Sequence, residues 1–114
     1  MKSQWDTIAE TRTGNPYGHV PGHKYHDVSV VIDRRGSKIR VEVTETWGSS
    51  QGRGRDEEHA RNRVIAIDDH LDVAVRIASA RAKKAGIDGP YLVQALSAAH
   101  AEAMDVLLDD EVQK

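Results

Sequence analysis

The sequence predicts an α+β fold: a small antiparallel sheet, made of a β-hairpin plus a third strand, packed against two C-terminal α-helices. Three observations lead there. From His26 to Trp47, apolar and polar residues alternate with a period of two. A short β-branched run, Val64-Ile65-Ala66-Ile67, follows a glycine-rich stretch. Beyond it the apolar period becomes helical, twice, with Gly86 and Gly89-Pro90 between the two segments. Strands followed by helices, rather than alternating with them, place the helices on one face of an antiparallel sheet.

The hairpin is the strongest element. Val28, Val30 and Ile32 alternate with Ser29, Val31 and Asp33, and after Arg34-Arg35-Gly36-Ser37 the residues Ile39, Val41 and Val43 alternate with Arg40, Glu42 and Thr44. Successive strand side chains point to opposite faces, so one face of this hairpin is a row of β-branched residues. A two-residue turn at Arg35-Gly36 predicts Asp33 opposite Lys38. The inner row then pairs Ile32 with Ile39, Val30 with Val41, Val28 with Val43, and finally His26 with Glu45. That last pair is polar at the end of an apolar row.

Around the hairpin the chain is less regular. The first ten residues are compatible with a strand or a helical turn around Trp5 and Ile8. Residues 11–26 carry Gly14, Pro16, Gly18, Pro21 and Gly22 and read as a loop, as does Gly48 to Glu58. The third strand is expected over His59 to Ile67, returning antiparallel beside Glu42 to Trp47. Asp68 or Asp69 is the expected N-cap of the first helix. Leu71, Ala74, Val75, Ala78, Ala82 and Ala85 form its apolar stripe, and Gly86 suits its C-terminal end. Pro90 opens the second helix. There Leu92, Leu96, Ala99, Ala103 and Val106 form a seam with spacings of four and three, and Met104 and Leu108 lie near another.

The 114 residues are expected to form one domain, 1–114, burying roughly two thirds of the unfolded surface. With no Phe and 4% aromatics, the core must be Val, Ile, Leu and Ala. The absence of Cys excludes disulfides, thiolate metal sites and Cys nucleophiles. No secretory signal or membrane-length apolar run is visible, so a cytoplasmic protein without membrane attachment is expected. The net charge of −2 excludes a bulk basic nucleic-acid binder, leaving only a local anion patch.

Topology gathers the polar candidates at one end of the sheet. The segments before the first hairpin strand and after the second leave from that end, carrying His19, His23 and His26 on one side and Glu45, Trp47, Ser49 and Gln51 on the other. Arg53, Arg55, His59, Arg61 and Arg63 follow. His26 and Glu45 allow three readings: a base and its orienting carboxylate, a pair of metal ligands, or a solvated rim pair. His19, His23, His26 and His59 are the alternative metal set, although Pro21-Gly22 prevents helical spacing between the first two. The glycines and arginines of 48–55 suit an anion, with Trp47 as a surface on which a base could stack. Arg61 and Arg63 are expected to share a strand face and extend that patch. Arg34, Arg35, Lys38 and Arg40 cluster at the opposite end and read as edge protection.

These residues point first to a small non-enzymatic binding or regulatory module. Its partner would be anionic: a nucleotide, single-stranded nucleic acid or an acidic protein surface. The ligand-binding residues would be His26, Glu45, Trp47, Ser49, Gln51, Arg53, Arg55, Arg61 and Arg63. The alternatives are a hydrolase-type enzyme using His26 and Glu45, with or without metal, and a structural adaptor. The second helix carries its apolar seam and the Met104–Leu108 side; one domain of this size can use one such face internally, and the surplus predicts a homodimer. No cofactor motif is present, and no known family's signature is recognised.

Overall fold

The alternating hairpin forms the centre of a four-stranded antiparallel sheet in the computed structural model, which describes residues 4–14, 24–50, 56–87 and 89–112. The elements are β1 (Asp6–Gly14), β2 (Lys24–Arg35), β3 (Lys38–Ser50), β4 (Asp56–Asp68), α1 (Leu71–Lys84) and α2 (Pro90–Val112). Strand order follows chain order, β1-β2-β3-β4. Among these residues, α2 lies across β1 and β2 while α1 lies across β3 and β4.

Hairpin faces are as the alternation predicts, but the cross-strand register is not. The turn residues are Gly36 and Ser37, and Arg35 pairs with Lys38. Gly36 has φ +61°, which a glycine adopts at the first central position without the penalty Arg35 would incur there. This moves the pairing by two residues from the expected one: Asp33 faces Arg40, Ile32 faces Val41, and Val30 faces Val43. A shift of two preserves which face each side chain occupies. Val28, Val30, Ile32, Ile39, Val41 and Val43 are therefore all buried, as required. Each large one contributes about 1.5–3 kcal/mol of burial.

Two strands run beyond their expected bounds. Residues 11–14 and 24–26, expected in a loop, extend β1 and β2. β1 is bulged between Thr7 and Ala9, and both Ile8 and Ala9 enter the core. Thr11 and Thr13 then donate their hydroxyls to the carbonyls of Ala95 and Tyr91, at 2.7 and 2.6 Å, anchoring this edge strand to α2. The Gly and Pro residues of 14–22 outweigh the alternation of Thr11 and Thr13, which is why residues 11–14 read as loop in the sequence.

The helices are alanine-rich where they meet the sheet. α1 buries Leu71, Ala74, Ala78 and Ala82. Its N-cap is His70 rather than an aspartate, and no side chain caps it; Asp68 instead accepts the His70 amide at 2.9 Å. At the other end Gly86 (φ +94°) donates to the Lys83 carbonyl and Ile87 to that of Ala82, a Schellman arrangement that turns Ile87 into the core. Pro90 starts α2 as predicted. Leu92, Leu96, Ala99 and Ala103 are buried within the chain. This seam is therefore the face of α2 that the fold uses internally.

Candidate functional site

The end of the sheet opposite the Gly36 turn collects an ordered polar chain. Because of the shifted register, His26 faces Trp47 and Val28 faces Glu45. His26 and Glu45 are diagonal neighbours rather than directly opposite, and both keep the inner face. Long side chains reach across such a diagonal. His26 Nε2 and Glu45 Oε2 are 2.7 Å apart, and Asn62 Nδ2 donates to Glu45 Oε1 at 2.6 Å. The Glu45 residue is 5% exposed, so its carboxylate is buried with both oxygens partnered.

β4 supplies Asn62 through a local irregularity. Glu45 pairs with Asn62 but Thr46 pairs with Ala60, which leaves Arg61 as the additional residue of a bulge. Regular alternation would set Arg61 and Arg63 on one face, but the side chain of Arg61 lies outside the described residues. Arg63 lies on the face away from the helices and is neutralised by Glu42 through its Nε and Nη2 groups. The bulge also sets His59 at the register position opposite Trp47.

Aromatic groups complete the site. The rings of His26 and Trp47 stack at 3.9 Å with an interplanar angle of 6°, and Tyr91 meets His26 edge-on at 5.5 Å. Tyr91 is held by Pro90 at the helix start and by the Thr13 bond to its carbonyl. Trp47 remains 39% exposed although His26 covers one ring face. Beside these groups lies a pocket of about 230 Å³, with His26, Glu45 and Tyr91 as its polar lining and Val28, Ile87 and Leu92 as its apolar lining. Asn62 and Tyr91 were not among the predicted site residues. Asn62 depends on a bulge and Tyr91 on helix docking, neither of which periodicity reveals.

The remaining candidates separate into two groups. Gln51, Arg53, Arg55, His19 and His23 lie outside the described residues, as do the side chains of Ser49, His59 and Arg61. Among the described residues no group of three or more His, Cys, Asp or Glu is placed to hold a metal ion. Glu45 already engages one oxygen with His26 and the other with Asn62, so both carboxylate oxygens are partnered within the chain. In the neutral imidazole consistent with that bond, Nε2–H donates to the carboxylate and Nδ1 is left able to accept a proton. Among the described residues no helix is long and apolar enough to cross a membrane.

No protein-family model matches this chain, and no curated protein or solved structure shows significant similarity to it.

Proposed function

We propose that this chain is a small cytoplasmic binding module, acting as a homodimer, that takes a planar group of an anionic partner on Trp47. A nucleotide or single-stranded nucleic acid best fits that description. One observation carries the reading: Trp47 keeps 39% exposure while His26 lies flat against it, beside an open pocket. A half-exposed indole held against an imidazole is a preorganised stacking surface, because the Asn62–Glu45–His26 chain has already restricted the ring positions. Arg53, Arg55 and Arg61 belong to the same chain segment and would supply phosphate contacts; Arg63, paired with Glu42, is less available for one.

Titration of a fluorescent single-stranded oligonucleotide at low salt tests this. Trp47→Ala is expected to weaken binding by roughly 1–3 kcal/mol. Replacing Arg53 and Arg55 together with alanine should weaken binding and flatten its salt dependence. A wild-type protein with no affinity for oligonucleotide or nucleotide at low salt ends the reading.

The 2.7 Å contact between His26 and Glu45 supports a second reading, a hydrolase-type enzyme in which His26 Nδ1 is the general base and Glu45 the positioning group. The described lining of the pocket contains no serine, threonine or lysine, so water would have to be the nucleophile. Hydrolysis of a chromogenic ester or phosphate that is lost in His26→Gln would favour this reading over the first.

A further inference from the structure

The second helix carries more apolar surface than the fold consumes. With Leu92, Leu96, Ala99 and Ala103 buried against the sheet, Val93, Met104 and Leu108 remain 56%, 42% and 51% exposed. Together with Ser97 and His100 they lie on one helical stripe, beside the buried one. His100 contacts Asp72 near the start of α1, at 2.8 Å. Toward the N-terminal half of α2, α1 runs alongside and the two helices enclose a groove of about 240 Å³ with Val75, Arg76, Ser79, Val93, Leu96 and Ser97 in its walls. Met104 and Leu108 lie on the C-terminal half, beyond the His100 contact. One half of the stripe is a groove and the other half a ridge.

We propose that a second copy of this chain covers the stripe, with the two α2 helices antiparallel and the dyad near His100 and Ala101. This rests on the homodimer reading above and adds its interface. About that dyad Val93 faces Leu108 of the other copy, and Ser97 faces its Met104. The ridge of each copy enters the groove of the other, and the small Ser97 and Ala101 admit the larger side chains. Such a contact is isologous: one patch meets itself, and the assembly closes at two.

Charge supports the same pairing. The C-terminal half of α2 carries Glu102, Asp105, Asp109 and Glu111, besides Asp110 which pairs with Arg34 of its own chain, and has no Lys or Arg. α1 carries Arg76, Arg81, Lys83 and Lys84 against a lone Asp72. An antiparallel dimer lays the acidic half of one copy beside the basic helix of the other, whereas a parallel dimer would bring the two acidic halves together.

The chain contains no cysteine, which makes the register directly testable. Light scattering of the full chain should give twice the chain mass, and Met104→Glu with Leu108→Glu should halve it while circular dichroism stays that of the wild type. Val93→Cys with Leu108→Cys should give a covalent dimer on mild oxidation. Ala98→Cys with Glu102→Cys, at exposed positions off the stripe, should not. A monomeric wild type overturns both the dimer and this interface. A dimer that survives the double glutamate variant, or that Val93→Cys with Leu108→Cys fails to trap, overturns the interface alone. If the glutamate variant loses helix, the trapping result decides.

Discussion

The two ends of the sheet use similar residues to opposite effect. At the Gly36 end, cations meet acids: Arg40 bonds Asp33, Arg34 bonds Asp110, and Lys38 bonds Asp69. Trp5 lies over the guanidinium groups of Arg35 and Arg40, 4.6 and 4.5 Å from its ring centroid. Asp33 is buried there with Thr7 and Arg40 as its partners. At the other end a carboxylate is equally buried, but its chain of partners ends at a half-exposed ring pair beside a cavity. Buried polar groups that close on themselves hold a structure together. Those that end at an opening hold a surface ready.

The largest expected effect breaks the closed end. Asp33→Ala removes the acceptor for both Thr7 and Arg40 and leaves a partly buried guanidinium without its carboxylate. The expected loss is about 2–3 kcal/mol, read as a lower urea midpoint. Oligonucleotide affinity, measured where the variant is still folded, should not change. A comparable loss of affinity would mean that the two ends are coupled.

The two tryptophans sharpen the same contrast. Trp5→Ala should cost about 1 kcal/mol of stability through lost cation–π contacts and leave binding intact. Trp47→Ala should show the reverse pattern, with stability within about 1 kcal/mol of wild type. Equal effects from both would remove the distinction between a closing and a presenting aromatic residue.

Glu45→Gln is subtler. The amide can still accept from Asn62 and would donate to His26 Nε2, which requires the imidazole proton to move to Nδ1. Ring-nitrogen NMR shifts should report that change of tautomer, with a stability loss of about 1 kcal/mol or less. Ligand binding should fall by more than stability does. An unchanged tautomer would show that Glu45 does not orient the ring.

How far all this was legible in the sequence depends on which property a residue reports. Face is written in the alternation, so Val28 to Ile32 and Ile39 to Val43 were readable, and so were His26 and Glu45 as inner-face neighbours. Register is written in turn geometry, and a preference for Gly36 at the first turn position changes the pairing by two residues without moving any side chain to the other face. The His26–Trp47 stack therefore went unseen while the His26–Glu45 contact survived as a diagonal. Bulges leave almost no local signal, which hid the Asn62 contribution. Leu96 shows the converse limit: a heptad-like seam reports that a helix buries a face, but not whether its partner is a sheet or another chain.

The smallest effect belongs to Lys38 and Asp69, an exposed pair at the closed end with side chains 55% and 53% accessible. The hydrogen bond from Lys38, followed by its charge, lowers the Asp69 carboxyl from its ordinary range, and the reciprocal contact raises Lys38. The signs set the window. Stabilisation from Asp69 is fully present above the unfolded carboxyl value of about 3.9 and is lost as pH falls through its lower folded value. That from Lys38 is present below about 10.4 and is lost as pH rises through its raised folded value. Asp69→Asn should therefore slightly flatten the acid limb of stability, below about pH 4, and leave the neutral-pH urea midpoint nearly unchanged. High salt should erase even that difference, because both groups are solvent-screened. The Asp33 variant should keep most of its deficit under the same salt, since its carboxylate is buried. Equal salt sensitivity in the two variants would mean that the Asp33–Arg40 contact is also a surface pair, and that the closed end owes its stability to packing alone.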